Sequence, residues 1–136
     1  MKFLVDANVL SEVTRPMASA SVVQWLRDHE SEFVVTPIVL GEIEYGIGLT
    51  PSTRKRLELQ KWFDDGLRRL RVLDIDSGTA STWAALLVRL RKKGKAMAVK
   101  DSLIAASALQ HKLTIATRNT ADFQYASAKL IDPFSR

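Results

Sequence analysis

The sequence predicts an α/β fold with three layers, in which helices cover both faces of a mainly parallel central sheet of about five strands. Short apolar runs without regular polar alternation are typical of buried parallel strands, and here they alternate with longer segments of helical periodicity. Strands separated by helices pair in parallel through right-handed crossovers. Because the sequence has no linker, low-complexity tract or internal repeat, residues 1–136 are expected to form a single domain.

Five apolar runs are the predicted strands, in the order Phe3–Val5, Phe33–Val35, Val72–Ile75, Leu113–Ala116 and the less apolar Lys129–Ile131. Helical periodicity predicts five helices between them, namely Val22–Asp28, Ile38–Leu49, Arg54–Leu70, Thr79–Lys93 and Ser102–His111. Thr36 and Pro37 provide an N-cap and a first-turn proline for the second helix. Gly94 provides a stop for the fourth.

The composition excludes several classes of function. With no cysteine, the chain cannot form disulfides, Cys-ligated zinc sites, iron–sulfur clusters or a thiol nucleophile. It has no phosphate-binding P-loop sequence, dinucleotide-binding glycine pattern or serine-hydrolase elbow. No apolar run reaches the length of a membrane span or forms a signal-peptide core, so we expect a soluble cytoplasmic protein without a membrane partner.

The charge is unevenly distributed along the chain. The net charge of +5 comes from 20 basic and 15 acidic residues. Between Arg54 and Lys100 there are 13 basic and five acidic residues, whereas the remainder has seven and ten. A basic middle and an acidic remainder suit a protein that binds a polyanion in one region and cations in another. Solvated helix faces explain the same distribution equally well.

Two acidic residues follow predicted strands, at the edge where parallel sheets bind ligands. Asp6 comes directly after the first strand, and its carboxylate can either cap the next helix or bind a ligand. Asp122 lies shortly after the fourth strand, where a turn-capping role competes with a site role.

Two further acids lie on predicted helices. Glu42 falls in an apolar stripe, between Ile38, Tyr45 and Leu49 on one side and Val39 on the other, which predicts a cationic partner or a bound metal. Asp101 shares a helix face with small and apolar residues at spacings of three, four and seven, namely Ile104, Ala105 and Ala108. Asp101 can alternatively cap this helix or pair with Lys100.

Four carboxylates near one sheet edge repel one another unless cations are bound. Magnesium prefers oxygen ligands and keeps several waters, so carboxylates without His or Cys suit Mg²⁺ better than zinc. The acidic residues therefore predict a hard divalent cation.

Four segments together resemble, in order, the motifs of PIN-domain ribonucleases, most closely the VapC toxins of type II toxin–antitoxin systems. They are Asp6–Glu12, Gly41–Gly46, Val99–Ala106 and Thr117–Phe123. The resemblance spans nearly the whole chain and implies an α/β/α PIN domain with Mg²⁺-dependent endoribonuclease activity, with Mn²⁺ as a possible substitute. It also implies a VapB-type antitoxin that blocks the site and joins the toxin to DNA. A homodimer or a larger toxin–antitoxin hetero-oligomer is expected on the same basis.

The resemblance assigns roles to individual residues. Asp6, Glu42 and Asp101 match the three acids of the family. Either Asn119 or Asp122 occupies the fourth position, since some relatives have an acid at the first of these places and others at the second.

These residues lead to a mechanistic hypothesis. Asp6 and Asp101 ligate Mg²⁺, while Glu42 and Asp122 hold the ion, a second ion or their waters. A metal-activated water cleaves single-stranded regions of RNA, and Arg118 helps the basic middle to position the RNA backbone.

Two other functions are compatible with the sequence. The domain can be a catalytically weak binding module that acts mainly as the antitoxin's partner in a DNA-binding repressor complex. It can also be a phosphohydrolase with Asp6 as the nucleophile, although Asn8 stands where such enzymes usually have a second acid.

Overall fold

The computed structural model describes residues 1–135, so Arg136 of the predicted domain lies outside the described residues. Its four-stranded sheet has the order β2-β1-β3-β4, and every neighbouring pair is parallel. The strands are β1 (Phe3–Val5), β2 (Phe33–Val34), β3 (Thr114–Ala116) and β4 (Leu130–Ile131). The α/β class with a parallel sheet flanked by helices is thus confirmed.

Six α-helices connect or follow these strands. They are α1 (Ala7–Ser11), α2 (Ala20–Asp28), α3 (Pro37–Gly48), α4 (Thr53–Asp65), α5 (Ser77–Lys92) and α6 (Val99–His111). The connections from β1 to β2 and from β2 to β3 run in opposite directions across the sheet, so right-handed crossovers place their helices on opposite faces. Within residues 1–135, none of the helices is both long and apolar enough to cross a membrane.

The third predicted strand, Val72–Ile75, does not form a sheet strand. Only Val72 pairs with the sheet, through an isolated bridge to Val35 at the end of β2. The Val35 N–H donates to the Arg71 carbonyl at 3.0 Å, and the Leu73 N–H donates to the Val35 carbonyl at 2.8 Å. The segment lies beside β2, at the outer edge of the sheet. Val72 and Ile75 remain 36% and 37% exposed, so burial of their side chains contributes too little to extend the pairing along the segment.

The helix boundaries follow from capping chemistry. Thr36 is the N-cap of α3, with its hydroxyl accepting the Val39 N–H at 3.3 Å, and Pro37 takes the first turn as predicted. Gly94 follows the C-cap of α5 with a φ of +67°, a left-handed conformation that glycine adopts readily. Helix α4 ends at Asp65 rather than continuing to Leu70, because the chain turns at Gly66 into a short 3₁₀ segment.

The core lies between the sheet and the buried faces of the helices. Every residue of β1 is buried, as are most residues of β3. On α6, the predicted face of Ile104, Ala105 and Ala108 is completely buried. Burying one side chain the size of Ile104 contributes about 1.5–3 kcal/mol. Helix α5 packs against α6 through other residues: the Trp83 indole N–H donates to the Ser102 hydroxyl at 2.8 Å, and the Thr79 hydroxyl donates to the Gln110 side chain at 2.6 Å.

Candidate active site

The candidate site lies at the carboxyl edge of the two central strands. The Asp6 N–H continues the ladder between β1 and β3 by donating to the Ala116 carbonyl at 2.9 Å. On the other side of β3, the Thr117 N–H donates to the Ile131 carbonyl at 3.0 Å. Asp6 and Thr117 therefore lie side by side, each directly after the carboxyl end of one of two neighbouring strands.

Asp6 is both a helix cap and the most deeply buried acid of the site. Its side chain is the N-cap of α1, and Oδ1 accepts the Ala7 N–H at 2.8 Å. Oδ2 accepts the Thr117 hydroxyl at 2.7 Å and the Asn8 amide at 3.3 Å. Burial raises the pKa of Asp6, while the bonds from Thr117 and Ala7 oppose that rise. The charge of Glu42 adds to the increase, so Asp6 responds electrostatically to an acid on another element.

Glu42 lies on α3 beside the buried face of that helix rather than in it. The buried face consists of Val39, Ile43 and Ile47. Of the predicted stripe around Glu42, Val39 is buried, but Tyr45 and Leu49 are 70% and 63% exposed, so the stripe as a whole is wrong. Glu42 nevertheless has the expected cationic partner.

That partner is Lys100 in the first turn of α6. The Lys100 ammonium lies 2.8 Å from Glu42 Oε2. The other oxygen, Oε1, is buried and accepts no hydrogen bond within the described chain. One half of this carboxylate is thus neutralised by a lysine, and the other half remains available for another donor or cation.

Asp101 also lies in the first turn of α6, but it does not cap that helix. The N-cap is Ala98, and Lys100 pairs with Glu42 rather than with Asp101. Burial raises the pKa of Asp101, as do the charges of Asp6, Asp122 and Glu42, while Lys100 opposes them. Asp101 therefore senses the charge of each of the other three acids.

The residues after β3 form the remaining side of the site. Asp122 is exposed in the 3₁₀ segment Thr120–Phe123, which contacts α6. Asn119 is also exposed, and its N–H donates to the Thr117 hydroxyl at 3.1 Å. Arg118 directs its guanidinium over the Phe134 ring, 4.7 Å from the centroid. Asp122, unlike Asn119, contributes a charge that Asp101 senses.

Three residues of the site were not among the predicted site residues. Asn8 bonds Asp6 through its amide and accepts the Arg118 N–H at 3.1 Å, so it links α1 to the segment after β3. Thr117 donates to Asp6, and Lys100 neutralises Glu42. The available sequence signal was position: Asn8 and Lys100 lie within two residues of a predicted acid, and Thr117 directly follows a predicted strand.

The acids form an open arrangement rather than a closed cage. Within residues 1–135, no three acidic or imidazole side chains are close enough to enclose a metal ion by themselves. Magnesium is compatible with such a site, because it binds one or two carboxylates and retains several waters. Glu42 Oε1 is buried without a hydrogen-bond partner within residues 1–135, and burial raises the pKa values of Asp6 and Asp101, so a bound cation would stabilise these carboxylates in their ionised form. The donor set therefore fits a hard divalent cation.

A cleft of about 330 Å³ opens beside Glu42, between α1, α3 and α4. Asn8, Ser11 and Glu42 supply its polar lining, and Trp62 lines its apolar part. The acidic edge is thus continuous with a groove that can admit part of a larger molecule.

The arrangement of an acidic edge on a parallel sheet of this order is that of a PIN domain. The sequence profile described as "PIN domain" matches residues 3–129, which is most of the chain. The chain belongs to the PIN domain family, and the resemblance drawn from the motifs is confirmed.

Comparison with individual proteins indicates which members of the family this chain is similar to. The chain is 33% identical over 135 residues to Toxin FitB of Neisseria gonorrhoeae, covering 96% of this chain and 97% of that protein. It is 28% identical over 135 residues to VapC ribonuclease Y4jK of Sinorhizobium fredii, covering 96% of each. A structure of FitAB bound to an IR36 DNA fragment matches with a TM-score of 0.90 and 31% identity, over 97% of this chain and 95% of that one. The chain is thus similar to toxins of the VapC and FitB type.

Proposed function

We propose that this protein is a Mg²⁺-dependent endoribonuclease toxin of a type II toxin–antitoxin system, which cleaves single-stranded regions of RNA. The observation that carries the proposal is the convergence of Asp6, Glu42, Asp101 and Asp122 at one edge of a PIN domain. Similarity to a VapC ribonuclease supports the reaction class, and similarity to Toxin FitB supports the toxin role.

Asp6 and Asp101 are the proposed ligands of Mg²⁺ or Mn²⁺, with Asp122 beside them and Glu42 at the rim. When bound, the ion supplies a water of lowered pKa and positive charge beside the scissile phosphate. No reaction of the RNA 2′-hydroxyl is then needed, so the expected products end in 5′-phosphate and 3′-hydroxyl.

The protein's own residues prepare Asp6 for this role. The Thr117 hydroxyl and the Ala7 N–H each donate to a different carboxylate oxygen, which fixes the orientation of the group. Both bonds favour the ionised form, and so they offset the effect of burial. Burial and the neighbouring acids raise the pKa of Asp101, and a bound cation would oppose that rise.

The RNA backbone is proposed to lie on the basic middle of the chain, which contains 13 Lys and Arg residues between Arg54 and Lys100. Phosphate contacts of this kind position the strand without reading its sequence. Within the Thr117–Phe123 segment, Arg118 is held against Phe134 and would have to leave that ring to contact RNA.

A VapB-type antitoxin is the proposed protein partner. A similar protein has been solved as FitAB bound to DNA, which supports a hetero-oligomer that reaches DNA through the antitoxin. The cleft beside Glu42 adjoins the acidic edge, so an inhibitor seated there would also block the site.

The test is incubation of the purified, antitoxin-free protein with total cellular RNA in Mg²⁺, Mn²⁺ or EDTA. Asp101→Asn is the site variant, and Asp74→Asn is the matched control because Asp74 is an exposed acid outside the site. We expect metal-dependent cutting that Asp101→Asn abolishes and Asp74→Asn retains.

The chemical groups at the cut ends distinguish attack by water from attack by the RNA 2′-hydroxyl. A 2′,3′-cyclic phosphate would exclude attack by water. Absence of cutting by a folded protein across the RNA and metal conditions would favour the catalytically weak binding module instead.

A further inference from the structure

Lys100 is the cation that the structure itself places in the acidic site. Its ammonium lies 2.8 Å from Glu42 Oε2, across 58 residues of sequence and between α6 and α3. Its pKa is raised first by this bond and also by the charges of Asp101 and Asp6. Through its contact with Glu42, Lys100 therefore supplies one positive charge to the acidic site.

The pair contributes little to holding the fold together. The side chains of Lys100 and Glu42 are 49% and 32% exposed, and ion pairs with that much access to water add little to stability. Its placement has a clearer electrostatic role. Four ionised carboxylates carry four negative charges, and one divalent ion together with one ammonium neutralises three of them.

We propose that Lys100 occupies the place of a second metal ion, so that the site binds a single divalent cation on the Asp6 and Asp101 side. This inference rests on the proposed metal-dependent function and specifies the number of ions. Lys100 is a positioning residue: its contact with Glu42 Oε2 joins α3 to α6 and keeps that oxygen from binding metal.

The lysine has an advantage over a free ion at this position. It adjoins Asp101 in the first turn of α6, so its ammonium is tethered next to Glu42 and its local concentration is high. With Lys100 replaced by a neutral residue, both oxygens of Glu42 lack a hydrogen-bond partner within residues 1–135, since Oε1 already has none there. Both oxygens are then open to a second divalent cation, which would offset the negative charge that Lys100 neutralises in the wild type.

The experiment counts bound Mn²⁺ by calorimetry and by the electron paramagnetic resonance signal of the free aqueous ion. Lys100→Met keeps the aliphatic chain and removes the charge. Lys93→Met is the matched control, because Lys93 is an exposed lysine at the end of α5. Far-ultraviolet circular dichroism verifies that each variant is folded.

We expect one Mn²⁺ per chain in the wild type and in Lys93→Met, and two in Lys100→Met with a spin-coupled pair. The double variant K100M/E42Q should return to one ion, because Glu42 is the proposed ligand of the second. Two ions in the wild type, or one in Lys100→Met, would overturn the inference, as would two in the double variant. If no variant binds Mn²⁺, the metal-dependent function itself fails and the inference fails with it.

Discussion

Replacing Thr117 with Val tests the environment of Asp6 directly. Thr117 is completely buried, and its hydroxyl donates to Asp6 Oδ2 at 2.7 Å while accepting the Asn119 N–H at 3.1 Å. Valine has nearly the same shape, so the change removes hydrogen bonds without opening a cavity. A bond to a charged group contributes about 1.5–3 kcal/mol, and Asn119 is exposed enough to bond water instead. We therefore expect Thr117→Val to lower the free energy of unfolding by about 1.5–3 kcal/mol at neutral pH.

Urea denaturation followed by tryptophan fluorescence measures this loss. In an Asp6→Asn background the bond becomes neutral, and the penalty of Thr117→Val should fall to about 0.5–1.5 kcal/mol. Thr114→Val, on the same strand, is the control and should change stability by less than about 0.5 kcal/mol. An equal penalty in both backgrounds would refute the assignment of the Thr117 hydroxyl to an ionised Asp6.

Three further predictions concern stability. Asp101→Asn should stabilise the metal-free protein against urea, because it removes a charge repelled by Asp6, Asp122 and Glu42; a loss of stability would instead indicate a structural role. The raised pKa values of Asp6 and Asp101 mean that the folded state holds protons more tightly than the unfolded state. In EDTA, the free energy of unfolding should therefore fall as pH rises from about 3.8 through the pKa values that Asp6 and Asp101 have in the folded state. Thermal denaturation of the Asp6→Asn, Asp101→Asn double variant should lack this pH-dependent loss of stability. Ser107→Ala should stabilise the fold by about 1 kcal/mol, because the buried Ser107 hydroxyl has no hydrogen-bond partner within residues 1–135; chemical denaturation showing a loss of similar size would contradict this.

The local sequence pattern predicted strands and helix faces correctly where all of their residues are buried. The residues of β1 and the face of α6 from Ile104 to Ala108 have an unambiguous apolar pattern, and both are buried as expected. The Val72–Ile75 run has a similar composition but gains only one bridge, to Val35. Composition could not distinguish these cases, because a strand also requires a neighbour along its length.

The four acids of the candidate site are predictions from the sequence, but the sequence could not predict their hydrogen-bond and ion-pair partners. Lys100 adjoins Asp101 in sequence, which suggested a pair between them, yet consecutive residues on a helix point in different directions. Its actual partner, Glu42, is 58 residues away and is reached only through the contact between α3 and α6. Thr117 was predicted at a strand end, but its bond to Asp6 depends on the order of the strands in the sheet.

The hydrogen bond between Thr117 and Asp6 joins residues 111 positions apart, and it has a consequence for synthesis of the protein. Strand β1 is synthesised well before β3, the strand that pairs with it and that Thr117 follows. Until β3 and Thr117 have been made, Asp6 lacks the Thr117 hydroxyl on its Oδ2 atom and the neighbouring strand that fixes its backbone. A nascent chain that stops short of β3 therefore has Asp6 and Glu42 but neither Asp122 nor the assembled site.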